Sequence, residues 1–167
     1  ATKKREDVWK YFLEMDVDIA LLQEVNSIPE SVTSNYAILE KKAFGKNGKE
    51  QHFSTAVLVR GVIERELNLS SSWDWVNEEI KRFDGNLILA EITLTDGKSF
   101  RVISVYSPAW PVDRQRLEGI DVSDVKLKQN PDVWLTEILW AALLSENLKE
   151  HLWIVGGDLN SSVTFDI

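Results

Sequence analysis

Two carboxylates stand just after short apolar runs. Glu24 follows Ile19-Ala20-Leu21-Leu22 with one glutamine between, and Asp158 follows Trp153-Ile154-Val155 with two glycines between. Each is expected to emerge at the carboxyl end of a buried strand, where layered α/β folds gather ligand-binding side chains on a rigid platform. Asn160 lies two residues past Asp158, so Gly157-Asp158-Leu159-Asn160 sets an acid and an amide on one loop. An acid can orient or deprotonate water. An amide can donate to a phosphate oxygen and accept from a neighbour, and phosphoryl transfer needs both. Taken singly, Glu24 also fits a solvated loop acid and Asp158 a turn residue after Gly-Gly. Their common setting, with Asn160 beside one of them, points to a site.

The 167-residue chain has no cysteine and two histidines, His52 and His151. That inventory excludes a disulfide scaffold, thiolate zinc, an iron–sulfur cluster and a thiol nucleophile. An oxygen-ligated magnesium or manganese ion fits what remains, since magnesium is commonly held by one or two carboxylates and completed by water and substrate phosphate. The formal charge of −8 argues against broad electrostatic wrapping of nucleic acid. It leaves room for a site that grips one phosphate through a bound cation. The longest apolar run, Ile138 to Leu144, falls far short of the ~18 residues that suggest a membrane span. A chain of this size buries roughly 68–70% of its unfolded surface, enough for one domain with a substantial core.

The elements that must hold those residues follow from periodicity. Val8, Trp9, Phe12 and Leu13 make an apolar stripe on a helix over 4–15. Asp18 to Leu22 reads as a strand covered on both faces, and Ser54 to Val59 as another, stopped by Arg60-Gly61. Leu87 to Thr95 and Ser99 to Tyr106 read as a hairpin through Asp96-Gly97. The stretch 110–130 reads as an irregular excursion. Asn130-Pro131 and Asp132 signal the start of a helix running from Val133 to about Lys149. His151 to Val155 is a last strand closed by Gly156-Gly157. Strands alternating with helices, together with a hairpin, predict a mixed α/β layered fold with part of its sheet antiparallel.

Four segments, Asp18-Ile-Ala-Leu-Leu-Gln-Glu24, Ser54 to Val59, Val102-Ile-Ser-Val-Tyr-Ser-Pro108 and Ile154-Val-Gly-Gly-Asp-Leu-Asn160, occur in the order found in the endonuclease/exonuclease/phosphatase superfamily of metal-dependent phosphohydrolases, which the chain resembles over nearly its whole length. The resemblance implies an α/β (α+β) fold of two mainly antiparallel sheets packed face to face as a β-sandwich with helices outside, in αββα layers. It implies that Glu24 is the magnesium ligand, that Asp158 positions or activates the attacking water, and that Asn160 orients the scissile phosphate. Tyr106 matches a tyrosine of the abasic-site branch whose hydroxyl helps order the site; as part of a period-2 strand with Phe100, Val102 and Ser104 it equally fits a core tyrosine. Ala109 departs from the asparagine that often follows in that branch.

The family's domains open with an Asn-bearing strand and close with an Asp-His pair. Neither His52 nor His151 stands in for that histidine, and Asp166 is too close to Asn160 to be its acid. The chain is therefore expected to be a single incomplete domain with little hydrolytic activity, and to self-associate through bared sheet edges. Three readings stand at this point: a magnesium-dependent phosphodiesterase acting as a nuclease, a phosphatase or phosphodiesterase of small or lipid phosphoesters, and a noncatalytic binding member of the same fold. Trp73 and Trp75 read either as an aromatic platform for bases or as half-buried strand or loop anchors. Arg114 and Arg116 read either as phosphate contacts or as a solvated charged loop.

Overall fold

Alternation along two central strands decides the architecture, which a computed structural model describes for residues 2–126 and 132–160. Strand β1 (Ile19–Val25), β2 (Ala37–Phe44) and β3 (Glu50–Val59) form one sheet in the order β1-β3-β2, antiparallel throughout. Along β3, Ala56 and Leu58 turn to one side and Val57 and Val59 to the other. The first pair packs with Phe12, Ala20, Val32 and Tyr36 beneath α1 (Thr2–Glu14) and the short α2 (Glu30–Thr33). The second pair meets Ile88, Ala90, Ile92 and Val102 of the opposite sheet.

That second sheet runs β4 (Gly61–Leu67), β5 (Leu87–Leu94), β6 (Ser99–Tyr106), β7 (Trp153–Asp158). Three strands pair antiparallel, and β7 pairs parallel to β6. Its outer face carries Leu87, Leu89, Ile103 and Val105, covered by α3 (Asp74–Arg82) and α4 (Leu135–Leu144). The described residues thus make a mixed α/β molecule of two mainly antiparallel sheets, in the layer order helices, sheet, sheet, helices. Among them no helix is long and apolar enough to cross a membrane.

Several elements differ from expectation. Val8 of α1 is exposed while Trp9, Phe12 and Leu13 pack. As expected, β3 stops at Arg60-Gly61, but the chain then passes straight into β4 of the other sheet, which the periodicity does not show. There a Cβ on Gly61 would stand 2.1 Å from the Thr93 carbonyl oxygen, so only glycine lets the strands approach. β2, β4 and α3 have no counterpart in the periodicity reading. Trp73 and Trp75 are not strand residues: they sit at the start of α3, part-buried against the core under α4. The α4 helix is shorter than expected. Glu137 accepts from the Trp134 amide at 2.8 Å to close its first turn, and the Asn130-Pro131 start signal lies outside the described residues, as does Asp166. The hairpin stands as read, with Gly97 at φ 85° in its turn. β7 runs through Gly156-Gly157 as far as Asp158 instead of closing at Val155.

Candidate active site

β1 and β7 are edge strands of different sheets, and they lie on the same side of the sandwich, with contacts between them. Their carboxyl ends fall at one end of the molecule, together with the end of β6. Glu24 stands where the β1 register slips between Leu22 and Val25, a bulge, with its backbone at φ 55°. A bulge inserts a residue and re-aims its side chain. The left-handed conformation is costly for any residue with a Cβ and is associated with functional positions when the surroundings enforce it. Here Glu24 is exposed at the sheet edge.

Asp158 pairs with Tyr106 in the β6–β7 register, and the Ser107 amide donates to the Asp158 carbonyl at 2.7 Å, carrying the pairing one step further. The chain then turns through Asn160, also left-handed at φ 43°. Its backbone amide donates to Asp158 Oδ1 at 3.0 Å, and its side-chain Nδ2 donates to Asp158 Oδ2 at 3.2 Å and to the Ser107 carbonyl at 2.5 Å. Both carboxylate oxygens are therefore held from one residue. One bond comes from the backbone amide and one from the side-chain Nδ2, which also donates to the Ser107 carbonyl.

Tyr106 is buried on the inter-sheet side, its ring edge-on to Phe53 at 5.1 Å. Burial first, then the negative charges of Glu24 and Asp158, raise its phenol above the ordinary value of 10.0, so it stays protonated and can only gain from donating. The phenol thus senses both carboxylates at once. Neither Glu24 nor Asp158 is in an ion pair among the described residues.

Behind the carboxylates lies a brace of residues beyond the four candidate side chains. Gln23 Nε2 donates to Ser104 Oγ at 3.0 Å, joining β1 to β6 across the sandwich. It also lies against Gly157, where a Cβ would come 2.7 Å from Gln23 Nε2 and 2.1 Å from the Val105 carbonyl. Asn86, fully buried, accepts from the Phe44 amide at 2.6 Å and donates to the Tyr106 carbonyl at 3.2 Å, tying the end of β2 to the end of β6.

An oxygen-liganded cation fits this donor set. The described residues gather no group of three or more His, Cys, Asp or Glu side chains, so the protein would contribute one or two carboxylates, as is usual for magnesium. Ser54 Oγ, beside Val25 in the register, and Ser107 Oγ are buried polar atoms without a protein partner among the described residues, which suits a hydrated site. His52 and His151 are exposed, and neither joins the cluster. Arg114 pairs with Asp132 at 2.5 Å, and Arg116 with Glu79, so each has a structural partner. A cavity of about 610 Å³ lies between β4 and α3 against Asn68, Asn77 and Leu87, and none of the candidate residues lines it.

No protein-family model matches the chain, and no curated protein does.

Proposed function

We propose that this chain carries the catalytic cluster of a magnesium-dependent phosphodiester hydrolase acting on nucleic acid, akin to the endonuclease/exonuclease/phosphatase enzymes that its motifs resemble. The observation that carries the reading is the pair Glu24 and Asp158: two solvent-facing carboxylates without cationic partners among the described residues, carried on the edge strands of two sheets, whose charges both act on the Tyr106 phenol. Glu24 would hold the ion, and Asp158, whose charge acts on the same phenol as that of Glu24, would act on its surroundings. The bound ion would supply positive charge toward the phosphate oxygens. Asp158 would orient a water and accept its proton as the new phosphorus–oxygen bond forms and the ester bond breaks, the leaving oxygen departing as an alkoxide that takes its proton from solvent water. Asn160 fixes the rotamer of Asp158 through two bonds, and it meets a phosphate oxygen only in exchange for its bond to Ser107. Tyr106 donates toward the same oxygens, its proton kept on it by burial and by the charges of the two acids.

A phosphatase of small or lipid phosphoesters shares this chemistry and differs in what the surrounding loops admit. The outer backbone groups of β1 and β7 have no strand partner among the described residues, which supports self-association through them. Plasmid DNA, a chromogenic phosphodiester and a phosphomonoester, each with Mg²⁺ and with chelator, test the reading. In a form of the domain that also carries the family's Asn-bearing first strand and closing Asp-His pair, DNA cleavage that requires Mg²⁺ and falls ~10²–10⁴-fold in Asp158→Asn is the expected result. Cleavage indifferent to Asp158→Asn would remove that residue from the chemistry, and hydrolysis of the monoester alone would move the substrate to small phosphoesters.

A further inference from the structure

Beside the carboxylate cluster, at the same end of the sandwich, lies a small basic pocket of about 140 Å³ walled by the Gly45–Gly48 loop, Arg82, Phe83 and Arg116. The three walls come from the β2–β3 turn, the last residue of α3 and a short 3₁₀ segment, Arg114–Leu117. At their centre is Glu79, buried with 4% exposure. Arg116 binds it through Nε at 3.0 Å and Nη2 at 2.8 Å, and Arg82 Nε stands 3.6 Å from the same carboxylate. One buried acid thus holds two guanidiniums in place. Lys46 adds a third cation and enters no ion pair among the described residues. A guanidinium has five N–H donors, so Glu79 leaves several on each arginine uncommitted, on a scaffold that has already fixed their geometry.

The pocket is joined to the candidate active site through Asn86. The loop begins immediately after Phe44, whose amide Asn86 holds, and Arg82 and Phe83 immediately precede the turn Asp84–Asn86, while Asn86 itself donates to the Tyr106 carbonyl. We propose that this pocket is a second phosphate subsite, which takes a backbone phosphate of a nucleic-acid strand whose scissile phosphate lies at Glu24 and Asp158. Preorganised arginines suit phosphate because the planar fork donates two parallel bonds. On a chain of net charge −8, a local excess of cations is also where a polyanion would be drawn in. The identity of the ligand as nucleic acid rests on the hydrolytic reading; the phosphate chemistry of the pocket does not.

The test is binding of a short single-stranded oligonucleotide in chelator, where no turnover occurs, over a series of salt concentrations. Arg82, with its side chain 53% exposed, and Lys46 can be replaced without opening the core, whereas Arg116 cannot. Arg82→Ala with Lys46→Ala should weaken binding about tenfold at low salt and reduce the salt slope by ~0.7, the value for one phosphate contact on a single strand. Arg82→Lys should keep most of the slope. Equal affinity and equal slope in wild type and double variant would overturn the subsite, as would failure of the wild type to bind the strand at all. Wild-type turnover in Asp158→Asn with the salt effect intact would instead overturn the hydrolytic reading and leave the subsite standing.

Discussion

At Glu24 the backbone adopts a left-handed conformation that a residue with a Cβ enters only at a cost of ~1–2 kcal/mol. Nothing in the packing of an exposed side chain offsets that cost, so the position should be one where stability and activity separate. Glu24→Gly is expected to leave thermal stability unchanged or raise it by up to about 1 kcal/mol, because relief of the left-handed strain exceeds the added freedom of the unfolded chain. The same change should abolish magnesium-dependent cleavage. Thermal unfolding of Glu24→Gly against Glu24→Gln decides it: a glycine variant clearly less stable than the glutamine variant would mean that the glutamate backbone is not strained. The four candidate residues are legible in the sequence because each stands at or just past the end of an apolar run. Gln23 and Asn86 are not, since their partners Ser104, Phe44 and Tyr106 lie 20 to 81 residues away. The bulge that aims Glu24 leaves no local signal, for it is a property of how β1 pairs with β3.

Among the elements, β7 carries the sharpest constraint. Gly157 lies at φ 136°, and any Cβ there would strike the Val105 carbonyl and the Gln23 amide. Gly157→Ala must therefore push β7 from β6 or expel Gln23, and either movement displaces Asp158 one residue on. The expected loss is about 1–3 kcal/mol of stability, in the range for overpacking and strained backbone, with cleavage reduced at least as far as a misplaced base would reduce it. Chemical denaturation and DNA cleavage on one variant check both. Strands such as β3, β5 and β6 are readable from sequence because both their faces are apolar. β2 and β4 are not: Glu40-Lys41-Lys42 and Glu64-Arg65-Glu66 interrupt them, as befits sheet edges whose charges face water. The α3 helix is masked likewise, with three acidic and two basic residues in nine, so the tryptophans at its start dominate the pattern.

Over the whole molecule the two edges of the sandwich are treated differently. On one side Lys41 of β2 reaches Glu66 of β4 at 2.7 Å and Asp84 at 2.5 Å, a bond from sheet to sheet. Burial works against its charge, but the hydrogen bonds to Asp84 and Glu66 and their negative charges outweigh it, and the lysine is raised above 10.5. A raised lysine contributes its full stability below the unfolded value and loses it as pH climbs through the folded one. The stability difference between wild type and Lys41→Met should thus be constant to about pH 10 and shrink above it, starting from no more than ~1 kcal/mol for a pair this exposed. Unfolding curves at pH 8 and pH 11 measure it, and a difference that grows with pH would contradict the assignment.

On the other side, among the described residues, no ion pair joins β1 to β7, and the link between the sheets is the neutral bond from Gln23 to Ser104. There β1 and β7 present their outer amides and carbonyls, with Val155 41% exposed on β7. Such an edge is a template for pairing with another chain unless charge or proline blunts it. The 167-residue chain is expected to gain mass with concentration in sedimentation or light scattering. The amides of β1 and β7 that face away from their sheets should exchange rapidly when dilute and slowly when concentrated. Val155→Lys should suppress both effects while leaving thermal stability within about 0.5 kcal/mol, since it adds a charge at the edge and removes little buried surface. Self-association that persists in Val155→Lys, with the β7 amides still exchanging freely, would place the contact elsewhere. A monomer at every concentration would show that the twist of these two short strands is protection enough.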